Sequence, residues 1–328
     1  MARILISTTP FGAFDRSALD LLSTLGQNYE LNPFGRRMTE AELISMIGNA
    51  EVLIAGTEPI TAHVMDAAPN LRLISRVGVG LDNVDLKAAR ERDVAVSYTP
   101  DAPAPAVAEL TLALALSLLR RVHEANLLMH EGHWQRLSGR RVSEVTFGVI
   151  GVGRIGSLVT AKLDALGAHR ILLNDLTQRV PLVQSSNLDW STKESIYRDA
   201  DVVTLHIPLT VQTRNLVCRP ELEMMKSDAL LINTSRGGVV NEQDLADVLV
   251  SGHLAGAAVD VFTREPYAGP LTSVSSCLLT SHMGSMSVDC RSRMEIEATE
   301  EVMRFFRGQE LTQRVPETEF QMQMSCRP

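Results

Sequence analysis

The chain has 328 residues, 45% of them apolar and 21% charged, which is the composition of a globular protein and not of a disordered or fibrous one. At about 150 residues per domain, that length predicts two domains. With 31 Lys and Arg against 39 Asp and Glu, the formal net charge is −8, so electrostatics give no case for a nucleic-acid or anionic-membrane partner.

Residues 3–6, 51–55, 71–75 and 94–97 are short apolar runs, and residues 17–25 and 61–68 carry helical patterns between them. Strands buried on both faces and alternating with helices imply a parallel sheet of right-handed βαβ units. The stretch Pro100-Asp-Ala-Pro103-Ala-Pro105 is expected to be irregular and to serve as an interdomain crossover. Residues 107–130 then read as one long helix. A second α/β series follows to about residue 280, with strands at 147–150, 171–173, 202–205, 229–232 and 256–259. The last helical pattern, 289–307, has no sheet of its own and is expected to pack back on the first domain. The polar tail from Gln309 is expected to be frayed or partner-dependent.

Ile4-Leu5-Ile6 is too short for the core of a signal peptide, and residues 110–119 are too few to span a bilayer. Cys218, Cys277, Cys290 and Cys326 form no Cys-x-x-Cys pair, which argues against a disulfide framework, a zinc site and a dithiol redox motif. The chain therefore reads as a cytoplasmic α/β protein with no metal site and no membrane contact.

The strongest local motif is Gly151-Val152-Gly153-Arg154-Ile155-Gly156. It follows an apolar strand, opens a helix, and is trailed by Asp175 at the end of the next strand, roughly the spacing of a dinucleotide-binding fingerprint. Gly151 allows the tight turn, Gly153 lets backbone approach a pyrophosphate, and Gly156 lets helix and strand pack closely. The helix N-terminus offers free N–H groups to the phosphates. Asp175 is suited to both ribose hydroxyls and repels a 2′-phosphate, which favours NAD(H) over NADP(H). Arg179 nearby would soften that preference.

Three further segments place one arginine, one glutamate and one histidine after consecutive strands: Asn233-Thr234-Ser235-Arg236-Gly237-Gly238, Asp260-Val-Phe-Thr-Arg-Glu265-Pro, and Ser281-His282-Met-Gly284. Singly, each has a plain structural reading: a surface ion pair, a solvated acid, a satisfied histidine. Jointly they stand at the carboxyl edge of a nucleotide-binding sheet, where sites are built.

Together with Gly78-Val79-Gly80-Leu-Asp-Asn-Val-Asp in the first domain, these motifs resemble the D-2-hydroxyacid dehydrogenases in order and spacing over essentially the whole chain. The resemblance implies two Rossmann- or flavodoxin-like parallel-sheet domains with the active site in the cleft between them. Residues 1–99 with 288–328 would be the substrate domain, and 100–287 the NAD-binding domain. His282 would be the acid/base, Glu265 its carboxylate partner, and Arg236 the anchor of the substrate carboxylate. Val79 and Gly80 would offer backbone N–H groups to that carboxylate. Arg154, Ile155, His206, Ile207, Pro208, Thr213, Thr234, Asp260 and Gly284 would complete the cofactor site. The substrate would be a small 2-keto or D-2-hydroxy acid, and the chain a homodimer joined through the NAD-binding domain.

Ser281 stands where the family usually has proline, and Thr234-Ser235 replaces a commoner Thr-Ala or Cys-Ala pair. No regulatory extension is expected after the last helix. Arg76, just before the Val77–Gly80 loop, resembles the phosphoglycerate dehydrogenase-like branch and could read a second anion, phosphate or phosphonate, with Arg136 of a second subunit as a helper. Gly56 stands where that branch tends to place another arginine, and the plain alternative pairs Arg76 with Asp82 or Asp85 at the surface. The fold also admits a non-catalytic NAD-sensing corepressor-like scaffold and a phosphite-type dehydrogenase. Glu265 in place of glutamine argues against formate oxidation.

Overall fold

The computed structural model describes residues 3–178, 183 and 185–324, so Arg179 and Cys326 lie outside the described residues. The chain divides into two units, residues up to Pro103 together with those from Ser285 on, and Ala104–Gly284. No described helix is long and apolar enough to cross a membrane.

The first unit runs β1 (Ile4–Ile6), α1 (Ser17–Thr24), β2 (Tyr29–Leu31), α2 (Glu40–Ile47), β3 (Val52–Ala55), α3 (Ala62–Asp66), β4 (Leu73–Arg76), α4 (Leu86–Glu91) and β5 (Ala95–Tyr98). Its strands are all parallel, in the order β2-β1-β3-β4-β5. Every residue of β1, β3 and β4 is buried, because helices cover both faces of a parallel sheet; β1 and β3 therefore read as continuous apolar runs, while β4 ends in a buried Ser75 and Arg76. The strand order reverses between β1 and β3.

The second unit opens with α5 (Ala104–Leu119) and α6 (Val122–His130). It continues through β6 (Thr146–Ile150), α7 (Arg154–Ala165), β7 (Arg170–Asn174), β8 (Leu188–Trp190), α8 (Lys193–Asp199), β9 (Val202–Leu205), α9 (Arg219–Met224), β10 (Leu230–Asn233), α10 (Glu242–Val250), β11 (Gly256–Val259) and β12 (Cys277–Leu279). Its seven strands are also parallel, ordered β12-β11-β10-β9-β6-β7-β8, with the reversal between β6 and β9. The chain then returns to the first unit as α11 (Val288–Phe306) and α12 (Glu317–Met324), and α11 packs on α1 and β4.

Three expectations need correction. The proline-rich stretch is not irregular throughout, since Ala104 and Pro105 open α5. Proline is tolerated in a first turn, whose N–H groups have no intrahelical acceptor anyway. The single helix over 107–130 is two helices, interrupted where Arg121 takes a left-handed backbone (φ 53°). The tail is docked: Tyr98 N–H donates to Gln313 O at 3.1 Å and Val315 N–H to Val96 O at 2.9 Å, covering the open edge of β5. Gln323 then bonds Leu81 O, Val84 O and the Leu86 N–H. The polar composition of the tail conceals this docking, because the bonds that hold it run to and from backbone groups.

A buried ion pair ties α11 to the loop after β1. Arg291 Nε lies 2.7 Å from Glu295 Oε1, their side chains only 7% and 2% exposed. Arg291 also donates to Thr8 Oγ1 at 2.9 Å and to Pro10 O, and Glu295 accepts from the Gly12 N–H at 2.7 Å. Removing one member strands the other charge in the interior. Glu295→Ala should therefore lower stability by about 3–5 kcal/mol, read as a lower midpoint in urea unfolding followed by circular dichroism.

Candidate active site

The carboxyl end of β6 runs into the glycine turn. Gly151 has a φ of 94°, and a side chain there would meet His206 O at 2.5 Å. A Cβ on Gly156 would fall 1.9 Å from Gly151 O, so helix and turn touch backbone to backbone. Gly153 is different, because nothing lies within 4 Å of where its Cβ would be. It is the N-cap of α7 and supplies no side-chain cap, so the first N–H groups of that helix are presented beside open space. This bare cradle at a helix N-terminus fits the pyrophosphate of a dinucleotide.

Asp175 follows β7 and reaches back to the turn, its Oδ2 accepting from the Val152 N–H at 2.7 Å. At the end of β9, the His206 ring is buried and held 3.0 Å from Thr204 Oγ1 by Nε2, while its Nδ1 has no hydrogen-bond partner among the described residues. Burial pulls its pKa down to about 3, so the ring is neutral. Its backbone, not its ring, faces the Gly151 turn, and the Ile207 side chain packs beside it. Thr213 Oγ1 donates to Pro208 O at 2.6 Å and closes the following loop.

Arg236, Glu265 and His282 follow β10, β11 and β12, which are adjacent in the sheet. Asn233 shapes the first loop: its Oδ1 accepts from the Ser235 N–H and hydroxyl, and its Nδ2 donates to Arg236 O at 3.1 Å. Arg236 Nη1 donates to Ser235 O at 2.6 Å. Asp260, buried at the end of β11, builds the last loop. Its Oδ1 accepts from Thr280 Oγ1 at 2.6 Å and from the Met283 N–H at 2.9 Å, and its Oδ2 from the Gly284 N–H at 3.0 Å. The His282 N–H donates to Asp260 O at 2.8 Å. Those bonds hold His282 in the left-handed region, φ 52°, where a residue with a side chain is uncommon.

His282 Nδ1 lies 2.9 and 3.0 Å from the two carboxylate oxygens of Glu265. Glu265 Oε1 in turn accepts from the Phe262 N–H at 3.1 Å. A carboxylate on Nδ1 sets the tautomer and leaves Nε2 as the nitrogen that can exchange a proton. The Thr234 hydroxyl is hydrogen-bonded to Thr111 Oγ1 of α5 at 2.8 Å.

In the first unit, Arg76 is buried at the end of β4. Its Nη1 donates to Val77 O within the same loop. The guanidinium lies over Gly78, whose φ of 138° and contact with Arg76 leave no room for a side chain. The Gly78 N–H donates to Thr99 Oγ1 at 2.7 Å, which fixes the backbone leading to Val79 and Gly80. Sequence reasoning missed Asn233 as a loop builder and Glu58 as a buried acid, because an isolated Asn or Glu after a strand looks like any loop residue. Among the described residues, no group of three or more His, Cys, Asp and Glu could hold a metal ion.

Residues 112–284 match the family model of the D-isomer specific 2-hydroxyacid dehydrogenase NAD-binding domain. The chain belongs to the D-isomer specific 2-hydroxyacid dehydrogenases. It is therefore an oxidoreductase acting on CH–OH with a nicotinamide dinucleotide. A glyoxylate reductase of Korarchaeum cryptofilum is 33% identical over 299 residues, 88% of this chain and 90% of that protein. A D-3-phosphoglycerate dehydrogenase of Methanocaldococcus jannaschii is 34% identical over 284 residues, 83% of this chain but 53% of that protein, so this dehydrogenase spans about half of that relative. The crystal structure of the TT0316 protein from Thermus thermophilus superposes with a TM-score of 0.87 at 36% identity, covering 96% of this chain and 100% of that one.

Proposed function

We propose that this dehydrogenase reduces a small 2-keto acid to the D-2-hydroxy acid, or runs the reverse, with NAD(H) preferred over NADP(H). The observation that carries the reading is the 2.9 Å contact between His282 Nδ1 and Glu265, beside Arg236, on three adjacent strand ends. The bound nicotinamide supplies or accepts the hydride. His282 Nε2 gives the proton to the carbonyl oxygen, and the Glu265 carboxylate stabilises the imidazolium form and orients the ring. The forked guanidinium of Arg236 holds the substrate carboxylate and polarises the carbonyl. The cofactor would lie on Gly151, Gly153 and Gly156, with Asp175 on the ribose and Arg154, Ile155, Ile207, Pro208, Thr213 and Gly284 around it. Asp260, whose oxygens are taken up by the loop it builds, acts as a positioning residue.

We do not extend the proposal to a second anionic group. Arg76 is buried and donates into its own loop, and the Glu58 carboxylate stands at the end of the neighbouring strand. Its opposite charge offsets what the guanidinium offers an anion.

His282→Ala should lower kcat by on the order of a hundredfold or more while NADH binding, read by fluorescence titration, stays within a few-fold of the original. A variant with near-normal turnover overturns the assignment, and so does the absence of NADH oxidation with any 2-keto acid. Asp175→Ala should narrow the NADH over NADPH ratio of kcat/KM, because it removes both the ribose acceptor and the repulsion toward a 2′-phosphate. Equal efficiency with both cofactors in the unchanged protein would refute the preference.

We also propose a homodimer joined through α5 and α6. No residue of α6 is buried, its Val122, Leu127 and Met129 are exposed apolar side chains, and Trp134 just beyond it in the chain is 81% exposed. Light scattering on the size-exclusion peak should give twice the chain mass, and Leu127→Glu should shift it to the monomer.

A further inference from the structure

The loop between β11 and β12 carries Glu265, and a second acid, on a neighbouring helix, holds that loop. Phe262 and Thr263 open it. The Phe262 N–H donates to Glu265 Oε1 at 3.1 Å, which steadies the carboxylate from the start of its own loop. The next N–H, that of Thr263, donates at 2.7 Å to Oε1 of Glu242, the first residue of α10. At its far end the loop folds back on Phe262, whose ring stacks on Tyr267 with centroids 4.0 Å apart. The Leu271 N–H donates to the Tyr267 hydroxyl at 3.2 Å. Burial pushes the Tyr267 phenol up against that bond, and the nearby Glu242 carboxylate adds to the rise, so Glu242 bears on both ends of the loop.

Gly237 shows how closely the Arg236 loop approaches this one. A Cβ on Gly237 would run into the Phe262 carbonyl and the Thr263 nitrogen, so the two loops touch backbone to backbone. The peptide they share is the one whose N–H Glu242 accepts. The chain thus passes from Arg236 through this contact into α10, and the first residue of the helix reaches back to the same peptide.

Glu242 is not needed for this by its own helix. The Asn241 side chain accepts from the Gln243 and Asp244 N–H groups at 3.1 and 3.0 Å, so the first turn of α10 is already capped. An acid there gains from the helix dipole wherever its side chain points. This one is half-buried and commits an oxygen to a different loop.

We propose that Glu242 is a positioning residue for the acid/base pair. By accepting from Thr263 it holds the loop 262–267 so that the Glu265 carboxylate stays 2.9 Å from His282 Nδ1. Its effect on the reaction passes through Glu265. The inference rests on the roles given to Glu265 and His282 above.

The test measures kcat, KM and NADH affinity with whichever of glyoxylate, pyruvate and hydroxypyruvate the unchanged protein reduces fastest. Glu242→Ala should lower kcat by about ten- to a hundredfold, the scale expected of a slightly misplaced catalytic group. KM and the NADH affinity, read by fluorescence titration, should change by less than about threefold. Glu242→Gln keeps an oxygen acceptor for the Thr263 N–H and should bring kcat back to within about threefold of the original. In a Glu265→Ala background, Glu242→Ala should lower kcat by no more than about twofold further, since the group it positions is gone.

An equal loss in both backgrounds overturns the proposal, because the effect then does not pass through Glu265. So does a Glu242→Gln variant as impaired as Glu242→Ala, which would make the charge and not the hydrogen bond the cause. A fall in NADH affinity as large as the fall in kcat means a general loosening of the unit and refutes it too, as does near-normal kcat in folded Glu242→Ala. If Glu242→Ala does not fold by circular dichroism, Glu242→Asp, whose carboxylate stops one methylene short of Thr263, replaces it in both backgrounds with the same deciding outcomes. Absence of turnover with every keto acid in the unchanged protein overturns the underlying reading and this inference with it, a result distinct from a Glu242 variant that works normally.

Discussion

Parallel strands all end on the same edge of a sheet, and that constraint organises the chemistry of this protein. A βαβ unit returns the chain to the starting edge before each strand, so successive strand ends deliver successive loops to one place. In the second unit, β10, β11 and β12 bring Arg236, Glu265 and His282 to one side of the nucleotide turn without any long-range design beyond the strand order. The strands need only be apolar, and the residue identities that matter come just after them.

The edge alone does not give working geometry, and a buried carboxylate supplies the rest. Asp260 commits both oxygens to the loop 280–284 and its backbone carbonyl to the His282 N–H. Four bonds from one residue hold a histidine in a backbone conformation it would not choose alone.

What can be read from the sequence follows the strength of the local signal. The buried strands announce themselves as apolar runs, and the glycine turn stands out because three glycines at that spacing follow a strand and open a helix. The three-residue edge strands β2 and β8 do not, being short and partly exposed. The docking of the tail leaves no local trace, because Gln313, Val315 and Gln323 bond backbone groups of distant residues and no pattern within the tail encodes those partners. The helix break at Arg121 is equally silent, since nothing in Leu119-Arg120-Arg121-Val122 interrupts the apolar period. Glu58 shows the general difficulty: it is buried, and burial is set by residues far along the chain.

The two units differ in how they are written along the chain. The second is continuous from Ala104 to Gly284, whereas the first is assembled from two pieces on either side of it. As the polypeptide leaves the ribosome, the opening strands emerge long before α11 and Val315, which cover their sheet and its edge. The Arg291–Glu295 pair that holds the loop after β1 arrives only after the whole of the second unit has been made. Synthesis therefore completes the nucleotide-binding unit first and leaves the other waiting with exposed apolar strands, the period in which a nascent chain depends most on protection from aggregation.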